Sequence, residues 1–411
     1  ANGPLSISHY MRLCLTHPRH GYYTGLRSSS TTNFELPADN PAFKPSETDI
    51  DETIDNGAVF GHKGDFVTSP EISQMFGELI GIGIVAAWRQ QTAGCGPIPI
   101  RLVELGPGRG TLMADVLRTI ARFPDVDAAV QDVELVEASE WLRASQRKLF
   151  SAIAKPEIDD YNESDRQPQT NSTTSDRFWP ALIAHEFLDT LPIFKFQLTP
   201  DGWREVMIDV DESPDLPYHF RYVLAPGSSR ASSVLFPAMK GTVDALAPDA
   251  KVGTRIELCP DAARIVSMIA DGFKGPAPHS VAMKPFGGYA LFIDYGSDNV
   301  TGDTLRAIHK HKFIDPLSSP GIADVTADVD FAALRRETLA SEDTASDKQQ
   351  IAFHGPMTQG DYLHAMGIQA RLMALLRHAS DNETRKNLAM SYQRLVDPKQ
   401  MGEIYKFMTM T

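Results

Sequence analysis

One stretch decides the fold of this 411-residue chain: Arg101-Leu102-Val103-Glu104-Leu105-Gly106-Pro107-Gly108-Arg109-Gly110-Thr111-Leu112. It contains an apolar strand, a glycine-rich turn and the start of a helix. The three glycines allow a sharp turn and the close approach of a ligand, because glycine has no Cβ. Apolar residues then recur at helical spacing, at Leu112, Val116, Ile120 and Phe123. The pattern predicts a nucleotide-type turn between a strand and a helix.

The spacing of the glycines distinguishes between cofactors. In a dinucleotide fingerprint the third glycine would stand where this chain has Thr111. Glu104 precedes the turn, and Glu137 follows the next strand, where it can accept hydrogen bonds from two ribose hydroxyls. S-adenosylmethionine, which has a ribose but no phosphate, suits this order better than NAD; an ordinary strand-turn-helix with incidental acids is the alternative. The predicted cofactor residues here are Glu104, Gly106, Gly108, Gly110, Thr111, Leu112 and Glu137.

Composition excludes several kinds of protein. The net charge of −14 argues against a nucleic-acid partner, which needs a concentrated basic face, and would attract a cationic substrate. The three cysteines, Cys14, Cys95 and Cys259, form no CxxC pair, so we predict no disulfide framework, no metal site and a reducing compartment. The longest apolar run, residues 79–88, is far shorter than the roughly 20 residues of a membrane-spanning helix, so we expect no stable membrane insertion.

The order of apolar segments predicts an α/β fold, because strands and helices alternate from residue 100 to 153 and this alternation implies a parallel sheet. We also expect helices at 4–16, capped by Ser6 or Ser8, and at 358–379. The chain is predicted to begin with a helical segment at 1–92 that contains a mobile acidic insertion at 27–57. The core occupies 93–200 and 259–300, with added antiparallel strands at 201–258 between its two parts. A substrate-binding accessory region follows at 301–380, and the chain returns to the core at 381–411.

A second motif, Gly64-Asp65-Phe66-Val67-Thr68-Ser69-Pro70-Glu71, is typical of a helix start. We expect Ser69 to cap one long helix that runs to about Gln91 and is too apolar to stand free. Its N-terminus would then face the ligand crevice, where its N–H groups suit the carboxylate of the methionine end of the cofactor. A tight turn is the alternative. The residues predicted to touch the cofactor are Gly64, Asp65, Thr68, Ser69, Pro70 and Glu71.

Four segments carry a family resemblance, at residues 64–73, 103–112 and 184–192 and in the pattern Leu395-x-x-Pro-x-x-Met-Gly-Glu. Together they resemble the MidA-like family of S-adenosylmethionine-dependent methyltransferases, which includes a protein arginine methyltransferase of mitochondrial complex I assembly. The resemblance covers nearly the whole chain. Two features depart from it: the insertion at 27–57, and His185, where many bacterial members carry Asn.

The resemblance implies a class I (Rossmann-like) methyltransferase core with an inserted α+β substrate region. It implies symmetric dimethylation of an arginine on the 49-kDa-type subunit of NADH:ubiquinone oxidoreductase in the mitochondrial matrix, with that subunit as the protein partner; self-association as a homodimer is left open. A catalytically silent assembly scaffold with the same fold is the main alternative, because fold does not determine function. An NAD-dependent oxidoreductase is disfavoured by Thr111.

The pocket for such a substrate must hold a guanidinium with one nitrogen in line with the methyl group, and carboxylates do this best. An apolar run at 179–184 predicts a core strand, and His185, Glu186 and Asp189 follow it, where ligands bind in open α/β sheets. We therefore predict these three as catalytic residues, with Asp294-Tyr295 after the next core strand as further polar groups. Glu186 and Asp189 could instead cap the following turn.

Overall fold

The computed structural model describes residues 3–25, 67–151, 177–213, 218–274, 284–340 and 350–411. Gly64, Asp65 and the insertion predicted at 27–57 lie outside these ranges. The first elements in chain order are β1 (Leu5–Ser6), α1 (Ile7–Thr16), α2 (Ser69–Ile72), α3 (Gln74–Gln91), β2 (Ile100–Leu105), α4 (Thr111–Ile120), α5 (Pro124–Asp127), β3 (Val130–Val136), α6 (Glu140–Ser151), β4 (Arg177–His185), β5 (Phe194–Thr199), β6 (Gly202–Val210) and β7 (Phe220–Leu224).

The remaining elements are α7 (Arg230–Ala238), α8 (Lys240–Leu246), β8 (Arg255–Leu258), α9 (Pro260–Lys274), β9 (Lys284–Pro285), β10 (Tyr289–Ser297), β11 (Arg306–His309), β12 (Lys312–Ile314), β13 (Asp324–Thr326), β14 (Val329–Asp330), α10 (Phe331–Ala340), β15 (Phe353–Thr358), α11 (Gln359–Ala365), α12 (Ile368–His378), α13 (Asn382–Val396) and β16 (Tyr405–Met410). A short 3-10 helix lies at Leu188–Thr190.

A central sheet organises the described chain, with the order β15-β16-β10-β4-β2-β3. The strands β3, β2, β4 and β10 are parallel, as predicted, whereas β16 is antiparallel to both of its neighbours. The chain leaves β2 for β3 on one side and returns to β4 on the other side. The carboxyl ends of β2 and β4 therefore flank a topological switch point, where open α/β sheets bind ligands.

Both faces of the central sheet are buried. One face packs against α3 and α4 through Leu291 and Ile293 of β10, and the other packs against α9 and α10 through Phe292 of the same strand. This explains the continuous apolar run in the sequence of β10, because strands covered on both faces need apolar side chains at every position. None of the helices in the described ranges is long and apolar enough to cross a membrane.

Two smaller sheets lie outside the core. The antiparallel strands predicted at 201–258 are present as β6, β7 and β8, in a sheet that also contains β1 and β5. In this sheet β1, β6, β5 and β8 are neighbours in that order, and β7 pairs with β6. The sequence analysis missed α7 and α8 in this region. The third sheet has the order β12-β11-β13. The N-terminal helix α1 packs on β6 and β13, and the predicted cap is confirmed, because the Ser6 side chain accepts from the His9 N–H at 3.1 Å. The segment boundaries proposed from the sequence stay a prediction.

The long helix expected from Ser69 to Gln91 is in fact two helices. Thr68, not Ser69, is the N-cap of α2, and Ser73 interrupts the helical path with extended dihedral angles. The Ser73 side chain accepts from the Met75 N–H at 3.2 Å and so caps α3. Serine competes for backbone hydrogen bonds in this way and favours helix ends over helix interiors. The helix predicted at 358–379 is likewise divided, at Gly367, which adopts a φ of +88°.

Close packing of α3 on α4 gives a first testable prediction. A Cβ added to Gly77 would lie 2.5 Å from the Asp115 Cβ, a distance that requires one of the helices to move. We therefore expect Gly77→Ala to lower the free energy of unfolding by about 2–3 kcal/mol in urea denaturation. Gly272→Ala is the matched control, because it lies in α9 with no heavy atom within 4 Å of the added Cβ. It should raise stability by about 0.5–1 kcal/mol. Equal stabilities for the two variants would contradict this packing.

Candidate active site

A cavity of about 420 Å³ lies at the carboxyl ends of β2, β3, β4 and β10, with α1 and α2 closing it from outside the core. The cavity brings together most of the residues predicted from the sequence: Thr68, Pro70, Glu71, Glu104, Gly106, Gly108, Thr111, Leu112, Glu137, His185, Glu186 and Asp189. Ser69 and Gly110 lie behind its wall. The predicted roles of Gly64 and Asp65 fall outside the described residues.

The turn after β2 has the backbone shape that its glycines predict. Gly106, Gly108 and Gly110 all have positive φ, at 62°, 54° and 84°, a region that residues with a Cβ rarely adopt. The turn is attached to α6, because the Gln146 side chain donates to the Gly108 carbonyl at 2.6 Å. Gly110 caps α4, and a Cβ there would lie 2.8 Å from the Phe150 ring. The third glycine therefore serves packing, whereas the first two line the cavity.

Glu104 is a buried carboxyl group with an unused oxygen. Its side chain is 2% exposed, and burial raises its pKa to about 8 although the Met113 N–H donates to it. Its Oε2 atom has no hydrogen-bond partner among the described residues, and the residue lines the cavity. An unpaired buried oxygen costs free energy unless a ligand donates to it. Glu104 is therefore suited to a ligand that carries N–H or O–H groups.

Glu137 lies beyond the end of β3 and lines the same cavity. Burial raises its pKa, and the Ser139 N–H donates to its Oε1 atom at 2.8 Å. Arg143 holds the Glu137 backbone carbonyl at 2.8 Å. The side chain is thus fixed in position beside the glycine turn. The turn and the two carboxyl groups fit S-adenosylmethionine, which presents an amino group and two ribose hydroxyls and needs a turn without side chains.

The α2 segment contributes Thr68, Pro70 and Glu71 to the wall, and Glu71 lies 3.9 Å from Arg109 of the glycine turn. Ser69 faces elsewhere, because its hydroxyl donates to the Gln359 side chain at 3.2 Å in a buried contact. The long helix begins at Gln74, and α2 has a single turn. The single long helix expected here is therefore wrong, whereas the role of this segment in binding the methionine carboxylate stays a prediction.

Glu186 is the most unusual residue of the cavity. It has a φ of +50°, which is strained for a residue other than glycine, and its N–H donates to the Ile293 carbonyl at 2.9 Å. Burial raises its pKa well above the usual value, and the charge of Asp189 raises it further, although Tyr405 donates to its carboxyl group. Its Oε1 atom has no hydrogen-bond partner among the described residues.

His185 lies beside this carboxyl group but is not bonded to it. Its Nε2 atom is 3.3 Å from Glu186 Oε1, yet neither atom makes a hydrogen bond to another described residue. Burial lowers the pKa of His185 to about 3, so the imidazole is neutral at physiological pH. His185 therefore adds no positive charge to the cavity.

Asp189 is held by its neighbours on both sides. Tyr295 donates its hydroxyl proton to Asp189 Oδ2, while Oδ1 has no partner among the described residues. The backbone N–H groups of Leu188 and Asp189 donate to Asp294 Oδ2 at 3.0 and 3.2 Å, so Asp294 fixes the turn after β4. Burial raises the pKa values of Asp189 and Asp294. Glu186 and Asp189 thus present two unused, buried carboxyl oxygens, an arrangement that suits a cation with several N–H donors.

Comparison with known proteins identifies the family. A protein-family model described as "Putative S-adenosyl-L-methionine-dependent methyltransferase" matches residues 79–349. The chain belongs to this family. It is 35% identical over 422 residues to the mitochondrial protein arginine methyltransferase NDUFAF7 homolog of Drosophila melanogaster, covering 100% of this chain and 82% of the relative. It is 34% identical to protein arginine methyltransferase NDUFAF7 of Homo sapiens, covering 99% of this chain and 80% of the relative.

A crystal structure of a Burkholderia thailandensis protein bound to S-adenosyl-homocysteine has the same fold as this methyltransferase. The TM-score is 0.68 at 23% sequence identity, and the match covers 100% of this chain and 88% of the other. The predicted class I methyltransferase fold is therefore confirmed. Family membership also confirms S-adenosylmethionine as the cofactor, and the NAD-dependent oxidoreductase was the wrong alternative.

The sequence analysis missed three residues that line the cavity of the methyltransferase. Tyr23 donates its hydroxyl proton to Asp324 at 2.9 Å, and Tyr405 enters from the last strand. These residues come from remote parts of the chain. The segments His20-Gly21-Tyr22-Tyr23 and 326–331, which also resemble the family, were the available signals, but they did not indicate which side chains meet. Within the described ranges no group of three or more His, Cys, Asp or Glu residues could hold a metal ion.

Proposed function

We propose that this methyltransferase transfers a methyl group to a guanidinium nitrogen of an arginine in a protein. The observation that carries the proposal is a pair of oxygens, on Glu186 and Asp189, that have no hydrogen-bond partner among the described residues and lie in the cavity that also contains Glu104 and Glu137. A guanidinium has five N–H donors in a rigid fork and matches such a pair of carboxylates. The names of the relatives, protein arginine methyltransferases, support the same substrate class.

The cofactor end of the cavity is assigned to the residues of β2 and β3. Glu137 would accept hydrogen bonds from the ribose hydroxyls, and Glu104 Oε2 would accept one from the amino group of the methionine end. The glycine turn at 106–108 would lie against the cofactor without side chains in the way. Thr68 and Pro70 would close the cavity from the side of α2. S-adenosylmethionine supplies an electrophilic methyl group when it is bound.

The substrate end of the cavity is assigned to Glu186 and Asp189, which follow β4. Glu186 and Asp189 would each accept an N–H of the guanidinium and hold one nitrogen in line with the methyl group. Methyl transfer would require that nitrogen to lose one proton, and the Glu186 carboxylate would be placed to receive it. His185 stays neutral beside Glu186, so it does not compete with the cationic substrate.

Finer features of the activity are part of the same proposal. We propose symmetric dimethylation, with the 49-kDa-type subunit of NADH:ubiquinone oxidoreductase as the substrate and the mitochondrial matrix as the compartment. The relatives are named as mitochondrial proteins, which supports the mitochondrion as the organelle. A homodimer also stays a prediction.

The test is a transfer assay with the full chain. The protein is incubated with methyl-labelled S-adenosylmethionine and the purified 49-kDa-type subunit, and the modified residue is identified by mass spectrometry after hydrolysis. We expect label in symmetric dimethylarginine at one site, and loss of label when that arginine is replaced by lysine. Label on no arginine would refute the proposed function and favour the silent scaffold, whereas asymmetric or single methylation would refute only the product specificity.

A further inference from the structure

A second cavity, of about 620 Å³, adjoins the active-site cavity on the outside. We call it the outer groove. It lies between the β11–β12 hairpin and the turn at 401–404 that leads into β16. Its walls include Arg306, Lys312, Phe313, Arg394, Ile404 and Lys406. Tyr295, Ile308 and Tyr405 line both cavities, so the two spaces share a wall.

Two tyrosines form this shared wall. Tyr295 and Tyr405 are directly paired across β10 and β16, and their rings pack edge to face with centroids 5.5 Å apart. Their hydroxyl groups reach inward, because Tyr295 donates to Asp189 and Tyr405 donates to Glu186. The Arg306 guanidinium already stacks on the Tyr295 ring, 4.4 Å from its centroid, as guanidinium groups do on aromatic rings. Because the two cavities share this wall, a polypeptide bound in the outer groove lies next to the active-site cavity.

The charge of the outer groove is opposite to that of the protein. The chain as a whole carries a net charge of −14, yet the groove contains Arg306, Lys312, Arg394 and Lys406 against Asp328 and Glu403. The Arg306–Asp328 ion pair, at 2.5 Å, neutralises one basic and one acidic side chain of the groove. Lys312 also has an interaction partner, and among the other described residues of the groove Arg394 and Lys406 stand against Glu403. Complementary charge of this kind selects partners, so the groove suits an acidic segment.

The groove also presents large apolar side chains to solvent. Phe313 is 74% exposed and Ile404 is 54% exposed, and they stand on opposite sides of the groove. Phe313 pairs directly with Ile308 across the hairpin, so both side chains lie on one face of it. The hairpin turn is formed by Lys310 and His311, both with positive φ. Exposed apolar groups beside a basic groove are typical of a surface that a protein partner covers.

We propose that the outer groove binds the polypeptide that flanks the target arginine, and that it selects segments with acidic and apolar residues on either side of that arginine. This inference rests on the proposed function, because it takes the occupant to be the protein substrate. It adds the chemistry of the flanking sequence, which the active-site cavity alone does not specify.

Binding of two probe peptides to the full chain, in the presence of S-adenosyl-homocysteine, tests the proposal. Both peptides are fluorescein-labelled, equal in length and centred on arginine; one has Asp and Leu flanks and the other has Lys and Ser flanks. We expect the acidic peptide to bind about tenfold more tightly in fluorescence anisotropy at low salt. The net charge of the protein alone would favour the basic peptide. Equal binding, no binding or preference for the basic peptide would each overturn the proposal.

Variants locate the preference in the groove. Arg394→Glu combined with Lys406→Glu should abolish or reverse it. Arg377→Glu combined with Lys386→Glu is the matched control, because it makes the same charge change at exposed positions of α12 and α13 outside both cavities. Control proteins that lose the preference equally would overturn the proposal.

Phe313→Ala tests the apolar contribution. We expect about fivefold weaker binding of the Asp/Leu peptide, and little further loss when the Leu residues of that peptide are replaced by Ser. Additive losses would contradict a direct contact between Phe313 and the apolar flank.

Methyl transfer to the same peptides separates the two proposals. If the acidic peptide binds with the expected preference but no arginine is methylated, the proposed function is refuted and the proposed role of the outer groove is retained. If arginine is methylated without regard to the flanking residues, and binding shows no preference, the proposed role of the outer groove is refuted and the proposed function is retained.

Discussion

Glu186→Gln is expected to lower kcat/KM for the arginine substrate by about 10²–10³-fold, which corresponds to the roughly 3–4 kcal/mol lost when one partner of a buried ion pair is removed. Glutamine keeps the shape of the side chain but cannot carry the charge that faces the guanidinium. S-adenosylmethionine affinity, measured by calorimetry, should not change. The melting temperature should stay the same or rise, because the variant no longer buries an ionisable group.

The pH profile gives a second readout for this variant. Burial raises the pKa values of Glu186 and Asp189, so both groups hold protons to a higher pH than free carboxyl groups do. A cationic substrate needs them ionised, and therefore kcat/KM should rise as the pH increases from about 6, the pKa of Asp189. In Glu186→Gln this rise should flatten. Glu205→Gln is the control, since Glu205 is a buried carboxyl group of β6 outside the cavity. An unchanged kcat/KM in Glu186→Gln would remove Glu186 from the substrate pocket.

Gly108→Val is expected to weaken S-adenosylmethionine binding by about 100-fold or more, because overpacking of a closely fitted contact costs up to about 3 kcal/mol. Gly108 lines the cavity between Glu104 and Glu137, and a branched side chain there would occupy the space of the cofactor. Its φ of +54° adds backbone strain to any substitution. Calorimetric titration with the cofactor measures the loss directly.

Gly94→Val is a control that separates backbone strain from the loss of space for the cofactor. Gly94 also has a positive φ, of 79°, but it lies in the loop after α3 with nothing within 4 Å of an added Cβ. The two variants should lose a similar amount of thermal stability through backbone strain. Only Gly108→Val should lose cofactor affinity. If both variants bound the cofactor as the parent does, the glycine turn would not be the cofactor site.

Local features of the sequence were sufficient to predict the core of the fold. The strand at 100–105, the glycine turn and the helix from Thr111 appear where they were predicted. Positive φ at three glycines, an apolar run for a strand buried on both faces, and helical spacing of apolar residues are all encoded within a few consecutive residues. Helix ends were less predictable, as at Ser73, because a serine can cap a new helix or continue an old one with little difference in local free energy.

By itself the sequence determined the α/β core, the cofactor class and the positions of Glu104, Glu137, Glu186 and Asp189 at strand ends. The tertiary structure alone decided which of their oxygens lack hydrogen-bond partners within the part of the chain that the structure describes. It also decided that Tyr23, Asp324 and Tyr405 meet in one cavity and that a basic groove adjoins it. The physical reason is that burial, hydrogen bonding and pKa depend on which remote segments pack around a side chain, and no short stretch of sequence contains that information.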